Sequence, residues 1–266
     1  LNNTTGSYNT AVGYYAQYSS ATGVYNTSVG ANTLFDSTAS YNCAFGYSSL
    51  RYNTSGQNNS AYGYATQYLN TTGAQNSAFG RGASYANVTG DNITAIGYNS
   101  LPYLQGSANT AIGARAGVGM SRGVASVGSI TGGTGYTDGT YPGVALTYSS
   151  GSRFSGEPTA TVTVSGGAVT AVAITQAGIG FQATGTVLTA TAATIGGTGS
   201  GFSVPVTALT GATSSNNTLI GFQAGYLQTE GSGNIAIGAS ANLDSLTGSN
   251  QINVGGVYFH DRFIYV

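Results

Sequence analysis

Charged residues and several other residue types are scarce in this sequence. Among 266 residues there is no lysine and no tryptophan, and cysteine and histidine occur once each. The single Cys43 excludes an intrachain disulfide. It stands at a repeat position that threonine or serine fills elsewhere, so it is predicted to be a buried small residue. The sequence contains six arginines and seven acidic residues, for a net charge of −1. That balance offers no electrostatic basis for binding nucleic acid or an anionic membrane surface, so neither is expected as a partner.

Long apolar runs are also missing. No run approaches the roughly 20 residues that a membrane-spanning helix needs, and no signal-peptide pattern is present. The sequence starts at Leu1 rather than Met, so we expect a processed or incomplete N-terminus. Low charge and 43 glycines suggest disorder, but 41% apolar residues and a strict sequence period argue for an ordered fold.

The period comes from a repeat with the core Gly-x-x-Asn-Thr-Ala-(Val/Ile/Phe/Tyr)-Gly. Within each block of repeats, the closing glycines follow one another at 16 or 17 residues. These glycines are Gly13, Gly30, Gly46, Gly63, Gly80, Gly97 and Gly113, then Gly221, Gly238 and Gly255. Self-similarity at a fixed period predicts a fold of stacked coils.

Each repeat has the pattern of a short strand. The sixth motif position is small, as at Ala11, and the seventh is larger and apolar, as at Val12. Since neighbouring residues of a strand point to opposite faces, this pattern predicts a strand buried on both faces. Period-two spacing after each closing glycine predicts a second strand. The sequence therefore predicts an all-β fold, a parallel β-roll or β-helix solenoid with coils of about 17 residues.

A single thin coil buries little apolar surface for each residue that it orders. We therefore expect partner chains to supply the missing burial in a homo-oligomer. Three chains wound about one axis form the simplest arrangement, although the sequence does not fix the symmetry.

The repeats are interrupted once, and the interruption defines the domains. We predict a β-roll array over 1–117, an inserted small all-β domain over 118–212, resumed repeats over 213–255 and a capping strand over 256–266. A β-hairpin is expected around Gly166 and Gly167, between two alternating apolar segments. Two roles for the insertion stay open, namely contact with a receptor or polysaccharide, and a spacer.

Residue clusters that would support catalysis or metal binding are few. The segment Gly132 to Gly139 superficially resembles a calcium-binding glycine-aspartate repeat, but it contains only Asp138, so a tight turn is favoured. His260 is the one histidine, and the acidic residues are scattered. We therefore predict no enzyme activity, no catalytic residues, no metal and no cofactor.

Aromatic residues recur at fixed repeat positions, which predicts ladders of stacked rings along the coils. Such ladders either stabilise the fold alone or also contact sugar rings. The candidate ligand-contact residues are Tyr14, Tyr47, Tyr64, Tyr98, Tyr136, Tyr141 and Phe181.

The run Asn70 to Gly80, Asn-Thr-Thr-Gly-Ala-Gln-Asn-Ser-Ala-Phe-Gly, resembles the repeats of bacteriophage tail-fibre proteins. It is also similar to the β-roll heads of trimeric autotransporter adhesins, although its spacing is closer to the phage repeats. The resemblance covers residues 1–117 and about 213–255. It implies a trimeric attachment rod on a virion or in the extracellular space. Its partners would be a host cell-surface glycan and other virion or surface proteins at the rod ends.

Three other functions remain open from the sequence. A bacterial extracellular adhesin or surface filament subunit would share the rod. An ice-binding solenoid would share the low charge and the threonines, but tyrosines and the insertion interrupt the flat threonine array that it needs. A depolymerase tailspike would hold catalytic acids between chains.

Overall fold

The computed structural model divides the chain into two compact units. The first comprises Leu1–Met120 with Ala212–Val266, and the second comprises Ser121–Gly211. The residues that the structure describes are 5–120, 123–148, 157–178, 181, 185–209, 214–228, 231–245, 248–255 and 257–259. His260 lies outside these residues, as does the rest of the predicted capping segment after residue 259.

The elements are short and nearly all are strands. The first repeat block contains β1 (Thr10–Val12), β2 (Thr27–Val29), β3 (Cys43–Phe45), β4 (Ser60–Tyr62), β5 (Ser77–Phe79), β6 (Thr94–Ile96) and β7 (Thr110–Ile112). The second unit contains β8 (Val124–Val127), β9 (Thr131–Tyr136), β10 (Gly139–Ala145), β11 (Thr147–Tyr148), β12 (Thr159–Ser165), β13 (Ala168–Gln176), β14 (Val187–Thr189), α1 (Ala192–Ile195) and β15 (Gly197–Leu209). The last elements are β16 (Thr218–Ile220), β17 (Ile235–Ile237), β18 (Ile252–Val254) and β19 (Val257–Phe259).

The first unit is a parallel β-solenoid, as the sequence predicted. Its sheet runs from β1 to β7, then directly to β16, β17 and β18, with every pair parallel and in register. Thr110 of β7 lies opposite Thr218 of β16, so the stacking continues between residues that are 108 positions apart in the sequence. β19 pairs antiparallel with β18 and covers the edge of that strand.

The motif asparagine explains why successive coils stay in register. The side-chain oxygen of Asn42 accepts a hydrogen bond from the backbone N–H of Asn59, at 3.0 Å. The Asn42 amide donates to the carbonyl oxygen of Gly56, also at 3.0 Å. The same paired bonds recur at Asn26, Asn59, Asn76, Asn217 and Asn234. Because these side chains are buried, their bonds satisfy backbone groups that no solvent reaches.

The second strand predicted for each coil is not formed in the described coils. The segment after each closing glycine is instead a chain of turns with alternating left-handed residues, such as Ala65 (φ 51°) and Gln67 (φ 48°). The Ala65 N–H donates to the preceding coil, at Tyr47, and the Gln67 N–H donates to the following coil, at Ala83. Hydrogen bonds between coils therefore hold this segment as turns rather than as a strand. Period-two spacing in the sequence fits a strand and such turns equally well.

The core of the solenoid lies on one side of its sheet only. The sixth motif position points inward, where Ala44 and Ala61 pack with Leu34 and Leu50 from the turn segments. The seventh position points outward, so the prediction that the strand is buried on both faces was wrong for the single chain. Small alanines face the core because the turn segment lies close across the thin coil.

The second unit is built from antiparallel strands. β10, β12 and β13 form one sheet, and β11, β14, β15 and β8 form another, with β9 pairing on β15. The predicted hairpin is confirmed, since Ser165 and Ala168 pair across the Gly166–Gly167 turn. The core of this unit includes Val162, Leu188 and Val204.

Helical structure is minimal. α1 is a single turn of four residues in the second unit. Within the described part of the chain, no helix has the length and hydropathy required to cross a bilayer.

Candidate binding surface

The outward face of the solenoid sheet carries an apolar column, which we call the outer stripe. It comprises the seventh motif residue of every coil: Val12, Val29, Phe45, Tyr62, Phe79, Ile96, Ile112, Ile220, Ile237 and Val254. Each member is at least partly exposed, including Phe79 at 40% and Ile96 at 38%. Adjacent strands lie about 4.8 Å apart, so ten coils give a continuous stripe about 43 Å long.

Aromatic rings stack in the middle of the outer stripe. The rings of Phe45, Tyr62 and Phe79 follow one another at 4.9 and 4.8 Å between centroids and are almost parallel. The Tyr62 hydroxyl also lies 3.2 Å from the Cys43 thiol, and this hydrogen bond, helped by burial, raises the pKa of Tyr62. Cys43 is therefore half-buried on the outward face, rather than a small residue of the core.

A second column, which we call the tyrosine ladder, follows the closing glycines. It contains Tyr47 and Tyr64, stacked at 5.4 Å, and continues through Arg81 to Tyr98. The Arg81 guanidinium lies between two rings, 5.5 Å from that of Tyr64 and 5.7 Å from that of Tyr98. All four side chains are exposed. The structure thus brings together three of the predicted ligand-contact tyrosines and adds an arginine that the prediction missed.

The glycines between the outer stripe and the tyrosine ladder keep the two columns apart. At Gly63, φ is +137°, and an added Cβ would lie 2.8 Å from the carbonyl carbon and oxygen of Gly80. No side chain fits there, so only backbone is exposed between the outer stripe and the tyrosine ladder.

Tyr14 and a third set of rings lie at the N-terminal end of the solenoid. Tyr14 is exposed but packs on Tyr15, at 4.0 Å between ring centroids. A hydrogen bond between the Tyr14 and Tyr15 hydroxyls raises the pKa of Tyr15. The exposed rings of Tyr8, Tyr25 and Tyr41 stack at 4.9 and 5.3 Å. Here as in the tyrosine ladder, stacking covers ring faces and leaves mainly ring edges and hydroxyls to solvent.

The predicted aromatics of the second unit do not form a surface. Tyr136 is 5% exposed and Phe181 is 3% exposed, both within the hydrophobic core, so a ligand cannot reach their ring faces. Tyr141 is half-buried, and its hydroxyl donates to the carbonyl oxygen of Thr137. These residues were predicted to contact a ligand, but Tyr136 and Phe181 instead supply the core of a small β domain.

Asp138 fixes a turn. Its carboxylate accepts hydrogen bonds from the backbone N–H groups of Gly167, at 2.8 Å, and Gly166, at 3.1 Å. These two bonds, chiefly that of Gly167, lower the pKa of Asp138. In the described part of the chain, no three histidine, cysteine, aspartate or glutamate residues gather as metal ligands.

An aromatic cluster also lies along the turn segments. Tyr68 stacks on Tyr85 at 5.2 Å and meets Tyr52 edge-on at 5.1 Å. Burial, followed by a hydrogen bond with Tyr52, raises the pKa of Tyr68 to about 12. The guanidinium of Arg51 lies 5.4 Å from the rings of both Phe35 and Tyr52. This cluster binds coils to one another at a side of the solenoid away from its sheet.

The surfaces of the first unit therefore offer aromatic edges, hydroxyls and one exposed apolar stripe, which suit non-covalent contact. Comparison of the chain with models of known protein families, with curated proteins and with solved structures finds no match.

Proposed function

We propose that this chain is a structural and attachment segment of a fibre displayed on a virion, as in a bacteriophage tail fibre. It spaces or mediates contact with a host-surface glycan and catalyses no reaction. The observation that carries the proposal is the outer stripe, an apolar column that continues through every described coil of the solenoid.

The outer stripe supports self-association. A single chain leaves these residues in water, and soluble monomers rarely expose contiguous apolar surface on this scale. The stripe is unbroken at the sequence interruption, because Ile112 and Ile220 are neighbours in the sheet. A long and repetitive surface is best matched by the same surface of another copy. Three copies about one axis is the arrangement that we favour.

The attachment role draws on the polar surface and on the sequence. Neutral asparagine, threonine and tyrosine groups form hydrogen bonds with hydroxyls and do not require a charged ligand. The resemblance of the repeat to phage tail fibres directs the proposal to a virion. Other virion proteins would then hold the rod ends.

A bacterial surface adhesin or filament subunit is the alternative. A subunit that polymerises end to end needs free strand edges at both ends of the solenoid. Here β19 covers the edge of β18, which favours a rod of defined length over an open filament.

Variants of the outer stripe test self-association. Ile96→Asp combined with Ile112→Asp places two charges in the stripe, and we expect the sedimentation mass to fall to that of one chain. Ser55→Asp combined with Thr72→Asp, at exposed positions in the same unit, is the control and should keep the original mass. Circular dichroism checks that each variant is folded. A folded stripe variant with unchanged mass would contradict the proposal.

Binding to host envelope material tests attachment. Fluorescently labelled protein should be retained by envelope polysaccharide from a susceptible host and leave no new soluble oligosaccharide. Release of oligosaccharide would establish a depolymerase instead, and growth of filaments with concentration would favour the filament subunit.

A further inference from the structure

Among the described coils, one has free ring faces on both sides of its ladder position, which is the residue that follows the closing glycine. Most rings are covered by a neighbour in the next coil, as Tyr47 is by Tyr64, with 12° between the ring planes. A ligand cannot lie flat on a covered ring. A coil whose ladder residue is small instead leaves a gap between the rings above and below it.

Arg81 shows how wide such a gap is. Its guanidinium fills the space between Tyr64 and Tyr98, which lie two coils apart, at 5.5 and 5.7 Å from the two rings. Two strand spacings amount to about 10 Å. One flat group is thus accommodated between two rings that flank a single coil.

Ala114 occupies the ladder position in the next such coil. It lies between Tyr98 and Phe222, because their strands stack in the order β6, β7, β16. Tyr98 is 43% exposed and Phe222 is 53% exposed. No ring or guanidinium of the described residues other than Arg81 stacks on Tyr98. We call the space over the Ala114 methyl, between these two rings, the Ala114 slot.

A similar gap over Ala31 is a weaker candidate. It is bounded by Tyr47 and Tyr14, but the Tyr14 ring is packed against Tyr15 at 4.0 Å. The Tyr14 ring therefore contacts Tyr15 and is not free to bind a ligand in this gap.

The charges around the Ala114 slot are positive. Arg81 lies on the far side of the Tyr98 ring, and Arg115 is adjacent to Ala114 in sequence. The Nε atom of Arg115 is buried and has no hydrogen-bond partner in the structure. Among the described residues, no carboxylate forms an ion pair with either arginine. A cation would be repelled here, whereas a ligand with a carboxylate would be attracted.

We propose that the Ala114 slot binds the pyranose ring of an acidic saccharide. The C–H groups on the two faces of a pyranose ring match the negative faces of Tyr98 and Phe222. The positive charges of Arg81 and Arg115 then favour the carboxylate of a uronic acid over a neutral sugar. The glycines beside the slot have no side chains to reach over it. The inference rests on the proposed contact with a glycan, but the slot lies within one chain and does not require the oligomer.

The test uses the full chain with ¹³C-labelled alanine methyl groups, followed by NMR. The Ala114 resonance is assigned with Ala114→Ser. Titration with methyl glucuronide should shift this resonance saturably, while methyl glucoside, its neutral counterpart, should bind more weakly. Phe222→Leu removes one wall and should weaken binding about two- to tenfold. Arg81→Gln should reduce the preference for the acid about two- to fivefold.

The control is Tyr41→Leu, an exposed ring far along the solenoid, which should leave the affinity unchanged. The absence of a saturable shift, equal binding of glucoside and glucuronide, or full affinity in folded Phe222→Leu would overturn the proposal. Sedimentation of the same samples separates the two ideas. If the protein is an oligomer but does not bind the sugar, the proposed saccharide site is refuted and the fibre proposal stands. If the protein is a monomer that binds the sugar, the fibre proposal is refuted and the saccharide site stands.

Discussion

The side-chain oxygen of Asn59 accepts a hydrogen bond from the backbone N–H of Asn76, 3.0 Å away in the next coil. Through its amide nitrogen, Asn59 also donates to the carbonyl oxygen of Gly73, at 2.9 Å. One buried side chain thus satisfies two backbone groups of its neighbour, and Asn76 repeats the arrangement one coil further on. The register of most of the outer stripe depends on this asparagine column, which Ile93 interrupts in the coil of β6.

Asn59→Ala should therefore be strongly destabilising. It leaves a buried N–H and a buried carbonyl without partners, at about 1–3 kcal/mol for each group. We expect the free energy of unfolding in denaturant to fall by about 2–5 kcal/mol. Gln57→Ala, an exposed residue of the same coil, should change it by less than about 0.5 kcal/mol. Equal stabilities of the two variants would contradict the role given to the asparagine.

The closing glycines from Gly13 to Gly221 should tolerate no side chain. At Gly80, φ is +121° and an added Cβ would lie 2.8 Å from the carbonyl carbon and oxygen of Gly97. Because both coils are fixed by their hydrogen bonds, Gly80→Ala should cost about 3 kcal/mol or more.

Gly255→Ala is the matched control for Gly80→Ala. Its φ is +61° but no atom lies within 4 Å of the added Cβ, so only the backbone preference is lost, about 1–2 kcal/mol. Thermal unfolding of both variants checks the difference. A smaller loss of stability in Gly80→Ala than in Gly255→Ala would show that the close approach of neighbouring coils does not exclude side chains at the closing glycines.

Asp138 should make the second unit sensitive to acid. Its pKa in the folded chain is below the ordinary value of 3.8 because the charged carboxylate accepts two backbone hydrogen bonds. The stabilisation is fully present above that ordinary value and is lost as the pH falls through the folded pKa. Asp138→Asn should therefore lower the unfolding temperature at neutral pH and have progressively less effect in acid. The control is Glu157→Gln, at an exposed carboxylate of the same unit. If Asp138→Asn lowered the unfolding temperature equally at every pH, protonation of Asp138 would not be linked to stability.

Tyr68 should be among the last tyrosines to ionise. Burial and the hydrogen bond with Tyr52 raise its pKa to about 12, from 10.0. Since the neutral form is favoured in the folded chain, this contribution to stability is present below pH 10.0 and is lost as the pH rises towards 12. In a spectrophotometric titration, Tyr68→Phe should remove a late step, whereas Tyr41→Phe should leave it. Persistence of that step in Tyr68→Phe would show that another tyrosine is responsible.

The repeat was sufficient to predict the coils, because spacing fixes which residues stack. Asn59 and Asn76 stand 17 residues apart, and their strands pair without a shift. The direction of the side chains was harder to predict. Ala61 and Tyr62 are both apolar, and only the position of the turn segment determines that Ala61 faces the core.

The candidate surface was predictable only in part. The fixed spacing of Tyr47 and Tyr64 predicted a ladder, and they do stack. Arg81 interrupts the aromatic pattern, so a search for rings alone missed it. Tyr136 and Phe181 are core residues of the second unit together with Leu188 and Phe202, and their burial depends on pairing between strands distant in sequence.

The central claim is that copies of this chain cover the outer stripe, and the mass of the assembly tests it most directly. Sedimentation equilibrium of the unmodified protein across micromolar concentrations should give a stable multiple of the chain mass, with three chains as the expected value. A single-chain mass at every concentration, in protein with the circular dichroism of a β fold, would contradict the account.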